Sequence, residues 1–145
     1  MTVRILVDTN VILYSLDPMN HAKRARCAAW LKALIAANSM LVSPQVCGET
    51  RVNAQKKLKL TPAYAREAAS GLLPFCTAPL GPNEIAAALR LETRYGISWW
   101  DAVLMASAVA AGCTHFLTEN RQSAEVIEGV RLLDPFSTPP EALLG

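Results

Sequence analysis

"VRILVDTNVILYSL", residues 3–16, holds an apolar run that three polar residues interrupt, Asp8-Thr9-Asn10, before the apolar pattern resumes. Ile5-Leu6-Val7 is apolar at consecutive positions and rich in β-branched side chains. That is the pattern of a strand covered on both faces, as in a parallel sheet. Asp8 then stands where the strand ends. An ionised carboxylate taken out of water costs several kcal/mol unless something pairs with it. Two readings of Asp8 stay open at this point: it caps a short helix that follows, or the fold needs a negative charge there.

The elements downstream alternate. "NHAKRARCAAWLKALIAAN" (20–38) carries apolar residues at helical spacing, with Ala25, Ala28 or Ala29, Leu31 and Ile35 as its expected buried stripe. "MLVS" (40–43) reads as a short strand, and Ser43-Pro44 as a helix start leading towards Lys57. Thr61-Pro62 repeats that start, and Gly71 and Pro74 end the helix. "FCTA" (75–78) is expected as a short strand. Gly81-Pro82 opens a helix that Gly96 closes, and Ser98 caps "WWDAVLMASAVAA" (99–111), which Gly112 terminates. "THFLT" (114–118) and "VRLLD" (130–134) complete the strands, leaving "PFSTPPEALLG" (135–145) as a tail. Strands alternating with helices predict an α/β sandwich with a central, mostly parallel sheet. No linker or repeat divides the chain, so one domain over residues 1–145 is expected.

Composition removes several classes. With 52% hydrophobic and 18% charged residues, the 145-residue chain reads as an ordered globular domain. No apolar stretch approaches the ~20 residues of a membrane-spanning helix, and no leader precedes Val3, so a cytoplasmic location without a membrane partner is expected. Cys27, Cys47, Cys76 and Cys113 lie far apart in no metal-like spacing and read as small hydrophobes in a reducing compartment. A net charge of +2 says little by itself.

Three further acidic or oxygen-rich positions echo Asp8. In α/β sheets, ligands bind beyond the carboxyl ends of the strands. Asp101 lies in the first turn of a helix whose residues between Trp99 and Ala111 are otherwise apolar except for Ser107. Ser98-x-x-Asp101 resembles a capping box, which explains a carboxylate there but not its burial. Glu49 follows Val46 by three residues, close to the core-facing side of its helix. "HFLTEN" (115–120) again runs from a strand into Thr118, Glu119 and Asn120. Carboxylates crowded at one sheet edge repel one another unless a hard cation neutralises them, and Mg²⁺ or Mn²⁺ suits such oxygens. A cation held this way activates water and stabilises charge on a phosphoryl group, so phosphodiester hydrolysis is the favoured class.

Other chemistries lack their parts. Neither G-x-G-x-x-G nor a P-loop follows the first strand, and G-x-S-x-G is absent. A haloacid-dehalogenase-type phosphatase places a second Asp two positions after the first, where this chain has Asn10. His21 and His115 read as a helix-start residue and a packed strand residue.

With "ILVDTNVILY", Glu49 after "VSP", "ISWWDAVLMASAVAAGCTHFLTEN" and "GVRLLDPF", nearly the whole chain resembles a PIN domain, more narrowly the toxin ribonuclease of a VapBC-type toxin–antitoxin pair. The resemblance implies a PIN-like three-layer α/β/α sandwich. It also implies Asp8, Glu49, Asp101 and the residue at 120 as the catalytic set, with Asp8, Glu49 and Asp101 holding Mg²⁺ or Mn²⁺. Thr9, Asn10 and Thr118 support the loops. Endonucleolytic RNA cleavage, a homodimer and a cognate antitoxin follow from the same resemblance. One departure stands out: the family usually has Asp where this chain has Asn120. Asn as a neutral ligand, compensation by Glu119, and an inactivating change are three open readings, the last giving a PIN-like domain that binds RNA or a protein without cutting.

Residues 51–66 contain Arg51, Lys56, Lys57, Lys59 and Arg66 and no Asp or Glu. This stretch is either a solvated helix face or a surface for RNA phosphates or an acidic antitoxin segment. Lys23, Arg24 and Arg26 form a smaller basic set. Trp99 and Trp100 precede Asp101; one is a candidate to stack on an unpaired base, while core packing is expected for at least one of them.

Overall fold

The computed structural model describes residues 2–119 and 125–145. Its sheet has five strands in the order β2-β1-β3-β5-β4: β1 (Ile5–Val7), β2 (Met40–Leu41), β3 (His115–Leu117), β4 (Val126–Ile127) and β5 (Val130–Leu133). β1 pairs in parallel with β2 and with β3, and β3 with β5; only β4 runs antiparallel, at the edge. Ile5, Leu6 and Val7 are all fully buried. Successive strand side chains point to opposite faces, so burial of three in a row requires cover on both. The helices supply it, and the result is the expected α/β/α sandwich.

The chain leaves β1 on one side to form β2, and later returns to β1's other flank as β3. The gap between the carboxyl ends of β1 and β3 is therefore the topological switch point, where such sheets open a crevice.

The helices are α1 (Thr9–Leu16), α2 (His21–Ala36), α3 (Pro44–Lys56), α4 (Pro62–Gly71), α5 (Pro82–Tyr95), α6 (Trp99–Ala110) and α7 (Glu141–Leu144). The start and stop signals act as expected. Thr61 Oγ1 accepts from the Tyr64 N–H, and Ser98 Oγ from the Asp101 N–H. Gly96 and Gly112 take φ values of 63° and 69°, which glycine adopts without steric penalty. α6 buries Ala102 through Ala108, as an all-apolar helix must.

Four local expectations give way. In α2 the buried stripe is Cys27, Trp30 and Leu34, while Ala25, Ala28, Ala29 and Ile35 are exposed. Alanines make no demand for burial that a tryptophan on the same helix does not outweigh. "FCTA" forms only an isolated bridge between Val42 and Cys76, beside a 3₁₀ turn at Leu73–Phe75. β4 was not foreseen; Glu128 and Gly129, at φ 50° and 85°, turn it tightly onto β5. The tail is tied down: the fully buried Trp30 indole N–H donates to the carbonyls of Pro135 and Thr138, at 3.2 and 3.0 Å. α7 then packs on α2.

All four cysteines are free thiols. Burial pushes Cys27 up to about 12 and Cys113 up to about 11, as suits small packed side chains. No helix among the described residues is long and apolar enough to cross a membrane.

Candidate active site at the sheet switch point

Asp8 begins the site. It occupies the N-cap position of α1, yet its side chain makes no capping bond to the helix. Its Oδ2 instead accepts a 2.7 Å hydrogen bond from Thr118 Oγ1, which follows β3. The backbone repeats the link, with the Asp8 N–H donating to the Leu117 carbonyl at 3.0 Å. Asp8 is only 5% exposed. Burial pushes its carboxyl from 3.8 up to about 6; Thr118 and the Thr9 backbone pull it down, and the charges of Asp101 and Glu49 push it up. Of the two readings of Asp8 left open by the sequence, the helix-cap reading fails on geometry.

Glu49 reaches the same place from α3. Its Oε1 accepts from Thr9 Oγ1 at 2.8 Å and from Gln45 Nε2 at 3.2 Å, leaving Oε2 without a protein donor among the described residues. Hydrogen bonds to a charged acceptor contribute about 1.5–3 kcal/mol each, enough to hold a half-buried glutamate in one orientation. Val46, one turn back, is fully buried and anchors that face of α3 to the core.

Asp101 enters from the first turn of α6. Half of a capping box forms there, since Ser98 Oγ accepts from the Asp101 N–H at 3.2 Å. The Asp101 side chain lines a cavity of about 310 Å³ together with Asp8, Thr9, Asn10, Gln45, Glu49, Asn53, Lys57, Ser98, Trp100 and Leu104. Residues from the β1–α1 junction, α3 and α6, far apart in sequence, thus share one wall system.

Other sites expected from the sequence fall elsewhere. Glu119 does not line this cavity. Its Oε1 accepts from the Tyr14 hydroxyl at 2.7 Å, and its Oε2 forms a 2.8 Å ion pair with Lys23. Burial raises the Glu119 carboxyl, but the hydrogen bonds from Lys23 and Tyr14 and the Lys23 charge outweigh it and hold it low. Lys23 Nζ also sits 4.6 Å from the Tyr14 ring centre and 5.0 Å from that of Phe136. The basic residues divide: Lys57 lines the acidic cavity, whereas Arg51, Lys56 and Lys59 surround a separate shallow depression with Val52 and Gln55. Asn120 lies outside the described residues.

Gln45 and Asn53 were not foreseen. The signal was present: Gln45, Glu49, Asn53 and Lys57 recur every fourth residue and so form one ridge along α3.

The donor set fits a hard divalent cation. Asp8, Glu49 and Asp101 are acceptor-only oxygens whose mutual repulsion a cation relieves, and Gln45 Oε1 is a buried acceptor with no donor among the described residues. Among those residues no three His, Cys, Asp or Glu side chains close into a tight cluster. Mg²⁺ does not require one, because it keeps several waters and uses one or two carboxylates.

A family model described as PIN domain matches residues 5–128. No curated protein matches the chain. Among solved structures it is similar to a chain of a toxin–antitoxin complex from Klebsiella pneumoniae, with a TM-score of 0.64 and 22% identity over 90% of this chain and 97% of that one. It is also similar to a chain of VapBC2 from Rickettsia felis bound to a DNA fragment from their promoter, with a TM-score of 0.65 and 16% identity over 90% and 98%. At these identities the likeness is one of fold. The family match, covering most of the chain with Asp8, Glu49 and Asp101 among the matched residues, is decisive: this chain belongs to the PIN domain family.

Proposed function

We propose that this chain, as a single domain over residues 1–145, is a metal-dependent endoribonuclease and the toxin of a toxin–antitoxin pair. Membership of the PIN domain family supports a nuclease. The observation that carries the reading is the meeting of Asp8, Glu49 and Asp101 on one cavity wall at the switch point. Asp8, Asp101 and Glu49 would hold Mg²⁺ or Mn²⁺, which when bound lowers the pKa of a coordinated water and stabilises charge on the phosphoryl group.

The chain's own residues orient and neutralise. Thr118 fixes Asp8 Oδ2. Thr9 and Gln45 occupy Glu49 Oε1, so Oε2 would be the oxygen left to hold the cation or to take a proton from an attacking water. Lys57, on the same ridge, supplies positive charge for a substrate phosphate. Arg51 and Lys56 on α3, and Lys59 just beyond it, extend that charge outside the cavity.

Both structural neighbours come from toxin–antitoxin complexes, which supports an antitoxin partner; a cytoplasmic location and a homodimer belong to the same proposal through the family resemblance alone. The test is cleavage of labelled RNA by the wild-type chain and by Asp8→Asn, with Mg²⁺ or Mn²⁺ and with a chelator. Cutting that needs both the cation and Asp8 is expected. Cutting that survives both changes overturns the mechanism. RNA binding without cutting would favour the weakened-domain reading that Asn120 raises.

A further inference from the structure

The acidic cavity has a wall that the proposed hydrolysis does not use. Trp100 lines it and is 61% exposed. Trp99, by contrast, is half-buried and packs against the core. An exposed indole is a large apolar surface left in water, and here it directly precedes a proposed catalytic carboxylate.

The indole is also held. Trp99 leans on it at 6.5 Å between ring centres and 57° between planes. The Ser98 cap fixes the first turn of α6 from which both rings project. A buttressed flat ring loses little freedom when a second flat ring is laid on it.

Lys57 shares the cavity from the end of the α3 ridge. Among the described residues it makes no ion pair, although Glu49 stands two turns away on the same row. Apart from Trp100, Leu104 is the one large apolar side chain in the lining. A protein segment docking there would leave its own apolar side chains facing carboxylates and amides. An unpaired nucleotide needs one aromatic face and one cation, and these walls hold both.

We propose that Trp100 and Lys57 form a nucleotide-binding subsite beside the carboxylates, with Trp100 stacking on an unpaired base and Lys57 contacting an adjacent phosphate. The subsite rests on the nuclease reading above and restricts it to single-stranded RNA. A base within a duplex has both faces covered by its neighbours and offers Trp100 nothing.

The experiment uses a fluorescein-labelled RNA oligonucleotide of mixed sequence, alone and annealed to its complement. Binding is followed by fluorescence polarisation and by quenching of tryptophan emission. Binding is measured in the Asp8→Asn background, so that the probe stays intact, and cutting in the Asp8 chain. Trp100→Ala is expected to weaken single-strand binding roughly 10- to 100-fold, the range of one base–aromatic stack, while Trp100→Phe keeps most of it. Duplex binding should not change. Lys57→Met should lower the slope of log affinity against log salt by about 1. Circular dichroism of both variants checks the fold, which an exposed side chain does not hold together.

If Trp100→Ala binds and cuts the single strand as well as the parent does, the subsite is overturned while the nuclease reading stands. Loss of antitoxin binding alone, with RNA binding intact, overturns it in favour of a protein interface. If the unsubstituted chain neither binds nor cuts RNA, the nuclease reading fails and the subsite with it.

Discussion

Thr118, at the carboxyl end of β3, donates a 2.7 Å hydrogen bond to Asp8, at the carboxyl end of β1, closing the switch point of the sheet with a side-chain link. The hydroxyl favours the charged carboxylate, against a burial that disfavours it. Thr118→Val should therefore push the Asp8 carboxyl higher still and move the acid limb of the pH–activity profile to higher pH. A stability loss of about 1–2 kcal/mol should accompany it, since a buried carboxylate loses a donor. The pH profile and a denaturant titration read the two effects separately.

Asp8 itself is expected to destabilise the metal-free chain. It ionises near 3.8 when unfolded and near 6 when folded. Between those values the unfolded chain gives up its proton first, so ionisation favours unfolding. Stability should fall as pH rises from about 4 to 6 and stay reduced above that, by at most about 3 kcal/mol. Asp8→Asn should raise Tm at neutral pH in the presence of chelator, by roughly 2–4 °C per kcal/mol, with no gain at pH about 3.5. Calorimetry at both pH values checks the sign.

Glu119 has both oxygens engaged, by Tyr14 and Lys23, outside the acidic cavity. Glu119→Gln is expected to lower Tm slightly and leave the Mn²⁺ concentration for half-maximal activity unchanged. A several-fold shift in that concentration would make Glu119 a ligand after all.

An asparagine offers a carbonyl oxygen but no charge, and the family resemblance puts Asn120 where an Asp is usual. Asn120→Asp should lower the Mn²⁺ concentration for half-maximal cutting, because an added carboxylate strengthens a site for a hard cation and favours a second one. Identical titration curves would remove Asn120 from the metal site.

Much of this was legible because it is local. Ile5-Leu6-Val7 announced a doubly covered strand, Ser98 a helix start, and Gly96 and Gly112 helix ends. Each signal acts through neighbours a few residues away. The stripe of α2 was misread because Ala25 and Ile35 follow the same 3.6-residue period as Cys27 and Leu34; periodicity alone does not say which side faces a sheet. β4 was missed because two residues and a tight turn carry almost no pattern.

By itself, the sequence pointed to Asp8, Glu49 and Asp101 as carboxylates gathered beyond the carboxyl ends of the strands. Asp8 and Asp101 stand directly at element boundaries that local propensity sets. Only the tertiary structure decided their partners. It gave Asp8 to Thr118 rather than to the helix it precedes, tied Thr9 to Glu49 forty positions away, and turned Glu119 towards Lys23. It also exposed Trp100 at the cavity and packed Trp99 inward. Those choices depend on which surfaces meet when β3 is laid beside β1, and contacts between residues so far apart in the chain leave no mark in its local pattern.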